Sequence, residues 1–271
     1  MPRYGRVVLG GTFDHLHVGH EALLARAFRA GRSVAIGLTT DRYLDRHPKP
    51  GASRIAPFRA RRAALGRWLR GRYPARRWTV VPLENPFGRS IEDGVDALVI
   101  SADTLAGGRA VNRERRRLGR RAVPLLVVPI VLADDLGPVS SRRIRAGEID
   151  RSGRRLTPVR IGLAVQTASD RTALIAGLRR RFPRARVQPV RSANGPTDSA
   201  RAAARRGAVR AEIGVGVSGR AGTTRRIVVA TPTVTLPPLR VERPTPERLA
   251  SAVASAFGDG AGTNGLKRGR R

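Results

Sequence analysis

One stretch near the start of the chain constrains its fold more than any other: Val7-Val8-Leu9-Gly10-Gly11-Thr12-Phe13-Asp14-His15-Leu16-His17-Val18-Gly19-His20. It opens as a short apolar strand and breaks at two glycines. A helix is expected from about Gly19 to Arg29, with Ala22, Leu23, Ala27 and Phe28 at near-helical spacing and Gly31 as the stop. Gly10 and Gly11 let the backbone approach a ligand with no Cβ in the way. The helix start offers unpaired amides and the positive end of a dipole, a setting that favours phosphate. His17 and His20 fall three residues apart on the first turn, so both imidazoles can face one ligand. A metal site with Asp14 or His15 as third ligand, or ordinary surface histidines, are the competing readings. The order strand, Gly-Gly-Thr-Phe-Asp, His-Val-Gly-His, helix favours phosphate over both.

The chain then alternates strands and helices. Strands are expected at Ser33–Leu38, Trp78–Leu83, Ala97–Ser101 and Pro124–Leu132, and helices at Pro57–Arg72 and Gly107–Leu118. That alternation implies an α/β, mostly parallel sheet covered on both faces. The polar connection Arg42–Ala56 is long enough to be functional, and its Lys49 or Arg54 is the candidate for holding an acceptor's phosphate.

A second informative stretch is Val139-Ser140-Ser141-Arg142-Arg143-Ile144-Arg145-Ala146-Gly147-Glu148-Ile149-Asp150. A serine before a short apolar-periodic run signals a helix N-cap. Hydroxyls and guanidinium groups at a helix start can hold phosphate oxygens through charge-assisted hydrogen bonds.

The first stretch resembles the His-x-Gly-His signature of the nucleotidyltransferase superfamily. The second is similar to its Ser-Ser-Thr-x-Ile signature, with Arg142 where threonine is usual. With Gly37-Leu38-Thr39-Thr40-Asp41 and the string ending at Asp150, residues 5 to 153 resemble the archaeal and eukaryotic type of phosphopantetheine adenylyltransferase. His15 stands where that family commonly has proline. The resemblance implies a Rossmann-like domain over 1–153 that transfers AMP from ATP to 4′-phosphopantetheine, with magnesium, in the cytoplasm. It implies that His17 and His20 donate to the α- and β-phosphates. Gly10, Gly11, Thr12 and Phe13 would bind ATP together with Ser140, Ser141 and Arg143. Thr12, with Lys49 or Arg54, would hold the acceptor. FMN, nicotinamide mononucleotide and glycerol phosphate are the alternative acceptors.

Residues 154–158 read as a linker, polar and bearing Pro158. A second, smaller α/β domain is expected over 159–257. Its strands are placed at Val159–Val165, Arg186–Val190, Glu212–Val217 and Arg225–Val234, the last two a hairpin across Gly219–Gly222. Its helices are placed after a Ser169 cap, at Asp198–Arg206, and after Thr245-Pro246. This half distantly resembles the inosine/xanthosine triphosphatase family through Gly207-Ala208-Val209-Arg210-Ala211 and Ile213-Gly214-Val215-Gly216-Val217-Ser218-Gly219. Ser218 stands where an acid is expected and Ala164-Val165-Gln166-Thr167 lacks the usual Asn and Lys, so the domain is expected to be degenerate and not hydrolytic. From Gly258 the basic, glycine-rich tail reads as disordered.

Composition bears on partners. The 271 residues carry 53 Lys and Arg against 20 Asp and Glu, a formal charge of +33, and lysine occurs only at Lys49 and Lys267. Such charge can mark a nucleic-acid binder, so an inactive nucleotidyltransferase fold that binds nucleic acid is the contrasting reading. Yet the arginines are spread over every segment and aromatics make up only 4% of residues, too few for a stacking platform. Nonspecific polyanion binding is the weaker expectation. With no cysteine there is no disulfide and no thiolate metal site. No apolar run is long enough to span a bilayer, and the chain runs directly into its first strand with no signal peptide expected.

Overall fold

The computed structural model describes residues 1–48, 52–165, 167–190, 204–205, 208, 212–218, 224–231 and 235–257. The chain forms two compact units. The first comprises 1–131 and 138–153; the second comprises 132–137 and 154–271.

In the first unit, strands β1 (Tyr4–Gly11), β2 (Gly31–Thr39), β3 (Arg77–Leu83), β4 (Ala97–Ser101) and β5 (Leu125–Val128) form one sheet in the order β3-β2-β1-β4-β5. All four pairings are parallel, with Leu9 opposite Ile36, Gly10 opposite Gly37 and Val7 opposite Ala97. A parallel sheet is buried on both faces, so its central strands are apolar runs: Val7-Val8-Leu9, Val34-Ala35-Ile36 and Ala97-Leu98-Val99-Ile100 are all buried. Alternation divides them between two cores. Val7, Leu9, Ile36 and Val99 pack with Leu24, Ala27 and Phe28 of helix α1 (Val18–Ala30) and Leu65 and Leu69 of α3 (Phe58–Arg72). Val8, Ala35, Leu98 and Ile100 pack with Val111 of α4 (Leu105–Arg117). The strand order winds outward in opposite directions from β1 and β4, so their carboxyl ends flank the crevice where such sheets bind ligands.

Several boundaries differ from the sequence expectation. The fifth strand stops at Val128 and not at Leu132, because Pro129 has no amide for the ladder. The connection after β2 contains a short helix, α2 (Asp41–Arg46), capped by the Thr40 hydroxyl, which accepts from Tyr43 N at 3.2 Å. Helix α5 (Ser141–Arg145) is capped by Ser140.

The second unit holds the sheet β10-β9-β8-β6-β7, from β6 (Arg160–Ala164), β7 (Arg186–Pro189), β8 (Ile213–Ser218), β9 (Arg225–Ala230) and β10 (Leu239–Val241). β6 is parallel to β7 and β8, while β9 pairs antiparallel with both β8 and β10. Helices α6 (Ala168–Arg181) and α7 (Pro246–Ser255) supply Leu174, Leu178, Leu249 and Val253 to its core. The cap of α6 is Thr167 and not Ser169: its hydroxyl accepts from Asp170 N at 3.2 Å. Residues 132–137, which lie between the two signature stretches, belong here; Leu136 is part of this core. The Gly219–Gly222 turn, most of the Asp198–Arg206 helix and the tail lie outside the described residues. Among the described residues, no helix is long and apolar enough to cross a membrane.

Candidate active site

A cavity of about 530 Å³ opens at the carboxyl ends of β1 and β4. Gly10, Gly11 and Thr12 form one wall and His17, Gly19 and His20 the next; Ser140, Ser141, Arg142 and Arg145 come from the second signature. The two stretches, separated by more than a hundred residues in sequence, meet at one site.

His17 is itself the N-cap of α1. Its backbone is extended and its Nδ1 accepts from Gly19 N at 3.1 Å. That bond fixes the tautomer: Nδ1 is the acceptor, so in the neutral ring the proton sits on Nε2, which is a donor. Burial, with a further contribution from the charge of His15, lowers its pKa from 6.5 to about 4, so the ring is neutral at pH 7. The His17 and His20 rings stack at 3.9 Å, and the Phe13 ring lies 5.0 Å from His20. Gly19 suits this packing: a Cβ there would lie 3.0 Å from His17 Cε1 and 3.1 Å from its Nδ1, so the ring would have to give by a few tenths of an ångström.

Asp14 connects the parts. It is 1% exposed, its Oδ1 accepts from Ala56 N at 3.2 Å, and its Oδ2 pairs with Arg145. The Ser141 hydroxyl donates to the Asp14 carbonyl. From sequence Asp14 stands only as the possible third ligand of a metal site, and Arg145 has no role; the structure instead pairs the two. The signal available was an acid inside the Gly-Gly-Thr-Phe-Asp string and an arginine at the end of the second signature.

Arg143 departs from expectation. Its guanidinium bonds Glu148 at 2.9 Å and the Pro138 carbonyl at 3.1 Å, and it is not among the residues lining the cavity. On a short helix, Arg142 and Arg145 fall on the face that meets the cavity, and Arg143 is turned into the fold. Phe13 is buried behind the histidines and does not line the cavity either. Arg54 is exposed and outside it, though the neighbouring Ile55 lines it. Lys49 lies outside the described residues. Ser101, Asp103 and Thr104, beyond β4, complete the lining. A second, smaller cavity of about 200 Å³ shares Gly10, Leu23, Ser101 and Thr104 with the first and is otherwise mostly apolar, with Val8, Ala35, Leu83, Phe87 and Leu98 among its walls.

Fold and donor set together define a nucleotidyltransferase. The chain belongs to the cytidylyltransferase-like family, whose model matches residues 8–147, and within it to the phosphopantetheine adenylyltransferases. It is 38% identical over 151 residues to the phosphopantetheine adenylyltransferase of Methanopyrus kandleri, covering 55% of this chain and 94% of that one. The enzyme of the same name from Pyrococcus abyssi is 38% identical over 154 residues, 56% of this chain and 96% of that one. A protein of Thermoplasma volcanium named as a bifunctional phosphopantetheine adenylyltransferase/NTP phosphatase is 35% identical over 163 residues, 60% of this chain and 48% of its own length.

Proposed function

We infer that the first unit transfers the AMP of ATP to 4′-phosphopantetheine, yielding dephospho-coenzyme A and pyrophosphate. An oxygen of the acceptor's phosphate attacks the α-phosphorus; the new O–P bond forms as the bond to the pyrophosphate oxygen breaks. The nucleophile is already an anion near neutral pH, so the site's task is to position it and to stabilise charge moving onto the leaving group. The observation that carries this reading is His17 at the helix start with its Nδ1 accepting from Gly19 N, which leaves Nε2–H as the donor. His20, stacked on it, supplies the second imidazole. Thr12 orients the attacking phosphate, with Lys49 or Arg54 as its outer anchor. Ser140, Ser141, Arg142 and Arg145 face the outer phosphates.

The adjoining cavity supports that acceptor: an apolar pocket beside the phosphate site suits a long arm. The cavity's carboxylates are Asp14, paired with Arg145, and Asp103. Among the described residues no group of three or more His, Asp or Glu side chains is placed to hold a metal. Magnesium bound to ATP would neutralise phosphate charge at this site. A cytoplasmic setting goes with ATP as the donor. The +33 charge gives weak polyanion binding that collapses as salt rises, by counterion release.

Pyrophosphate release measured with ATP against phosphopantetheine, FMN, nicotinamide mononucleotide and glycerol phosphate tests the assignment. Turnover is expected with phosphopantetheine alone, and His20→Ala should lower kcat by roughly 10²-fold or more. Preference for another acceptor, or near-wild-type turnover in that variant, would sink it.

A further inference from the structure

Arg61, on α3, heads the largest fully buried side chains among the described residues and is 2% exposed. A guanidinium removed from water is kept only where its donors are met. Here Nε donates to the Ala56 carbonyl at 2.6 Å, and Nη1 donates to the carbonyls of Thr12 at 3.0 Å and Thr39 at 2.8 Å. Nη2 pairs with Asp41 at 2.7 Å, and both oxygens of Asp41 accept from Phe58 N, at 2.9 and 3.0 Å. One planar cation thus joins the ends of β1 and β2, the start of α2 and the segment leading into α3. Ala56 is held from both sides, its carbonyl by Arg61 and its amide by Asp14. The braced stretch is the one that leaves regular structure: Phe13, next to Thr12, has φ +48.

We propose that Arg61 is a positioning residue for the acceptor: by holding the Thr12 carbonyl it sets where Thr12 presents the attacking phosphate. This rests on the reading above, in which Thr12 orients that phosphate. Arg61 touches no substrate, since it is buried beneath the cavity wall and does not line it. Of the residues assigned to ATP, His17 is held by Gly19, Arg145 by Asp14 and Ser140 by Arg143 N, and Arg61 bonds none of the three directly, reaching Asp14 only through Ala56. Loss of Arg61 therefore bears on the acceptor more than on the nucleotide. Lysine cannot replace it, because a compact ammonium cannot reach four acceptors spread around a planar fork.

The test uses the full chain as wild type, Arg61→Lys, Asp41→Asn and, as a control, Arg76→Lys. Arg76 also bridges carbonyls, those of Phe28 and Gly31 at 2.6 and 2.7 Å, and neither residue lines either cavity. Readouts are kcat and KM for each substrate, ATP affinity by calorimetry, and Tm. Arg61→Lys should lower kcat/KM for phosphopantetheine roughly 10- to 100-fold, with ATP affinity within about threefold of wild type. Asp41→Asn should move the same ratio in the same direction by less, while Arg76→Lys lowers Tm and leaves the ratio unchanged. Equal losses for ATP and acceptor, or no acceptor loss, would overturn the proposal. Should Arg61→Lys not fold, Asp41→Asn without an acceptor-selective loss overturns it alone. Wild-type turnover with a different acceptor would remove the substrate assignment only, and the same split would then be read on that acceptor.

Discussion

Neutral His17 has a consequence for pH. Its folded pKa, about 4, lies below the unfolded value of 6.5. Between those values the unfolded chain binds a proton that the folded chain refuses, so stability falls as the pH drops from 6.5 to 4 and this contribution is flat outside that window. The depression amounts to about 3 kcal/mol at most. Urea titrations at pH 7 and pH 4.5 should show the difference, and His17→Gln should reduce it. Turnover should show no ionisation of His17 above pH 5. Next to it, His15 has φ +45, a left-handed conformation that proline, fixed near −65°, cannot adopt. The proline common at this position in the resembled family therefore does not fit the backbone here. His15→Pro should cost roughly 1–3 kcal/mol, whereas His15→Gly should be neutral or stabilising. A Tm for His15→Pro at or above wild type would show that the loop has a second conformation.

Much of the first unit was legible as elements because its strands are buried on both faces and its helices are one-sided. The sequence pattern matches β4 (Ala97–Ser101) to the residue, and α1 and α3 within one residue at either end. The two histidines were legible for the same local reason, since a strand, two glycines and a helix start are adjacent in sequence. What was not legible depends on distance. Nothing in the sequence couples Asp14 to Arg145 across more than a hundred residues, and no local pattern separates the inward Arg143 from the cavity-facing Arg142 and Arg145. Breaking the buried Asp14–Arg145 pair with Asp14→Asn should cost about 3–5 kcal/mol, read as a lower urea midpoint, because it leaves a guanidinium with no counter-charge. In the second unit the α6–α7 pair depends on Gly177, where a Cβ would lie 2.2 Å from the Ala250 carbonyl and 2.6 Å from Val253 Cγ1. Gly177→Ala must push the helices apart and should lower stability by about 1–3 kcal/mol.

At the scale of the whole chain, the second unit has taken a piece of sequence from between the two signatures. Asp134 bonds Arg181 at 2.7 Å and Asp135 bonds Arg155 at 2.6 Å, while Leu136 enters the second core. A chain ending at Gly153 would leave all three without these partners. The same arginines bear on what the second unit can do by itself. Hydrolysis of a nucleoside triphosphate with magnesium needs carboxylates free to hold the ion and activate water. Here Asp170 is paired with Arg225 at 2.9 Å, and Glu212 with Arg155 at 2.9 Å and the Arg160 amide at 2.9 Å. Glu247 lies in the first turn of α7 beside its Thr245 cap, its carboxyl held below the usual range by backbone and Thr245 hydrogen bonds. An arginine-paired carboxylate must lose its partner before it can take a cation. The full chain with magnesium should therefore release neither phosphate nor pyrophosphate from ITP or XTP supplied without an acceptor. Magnesium-dependent ITP hydrolysis that is abolished by Glu212→Gln and unaffected by His20→Ala would overturn this, and would place a second catalytic centre beside Arg155.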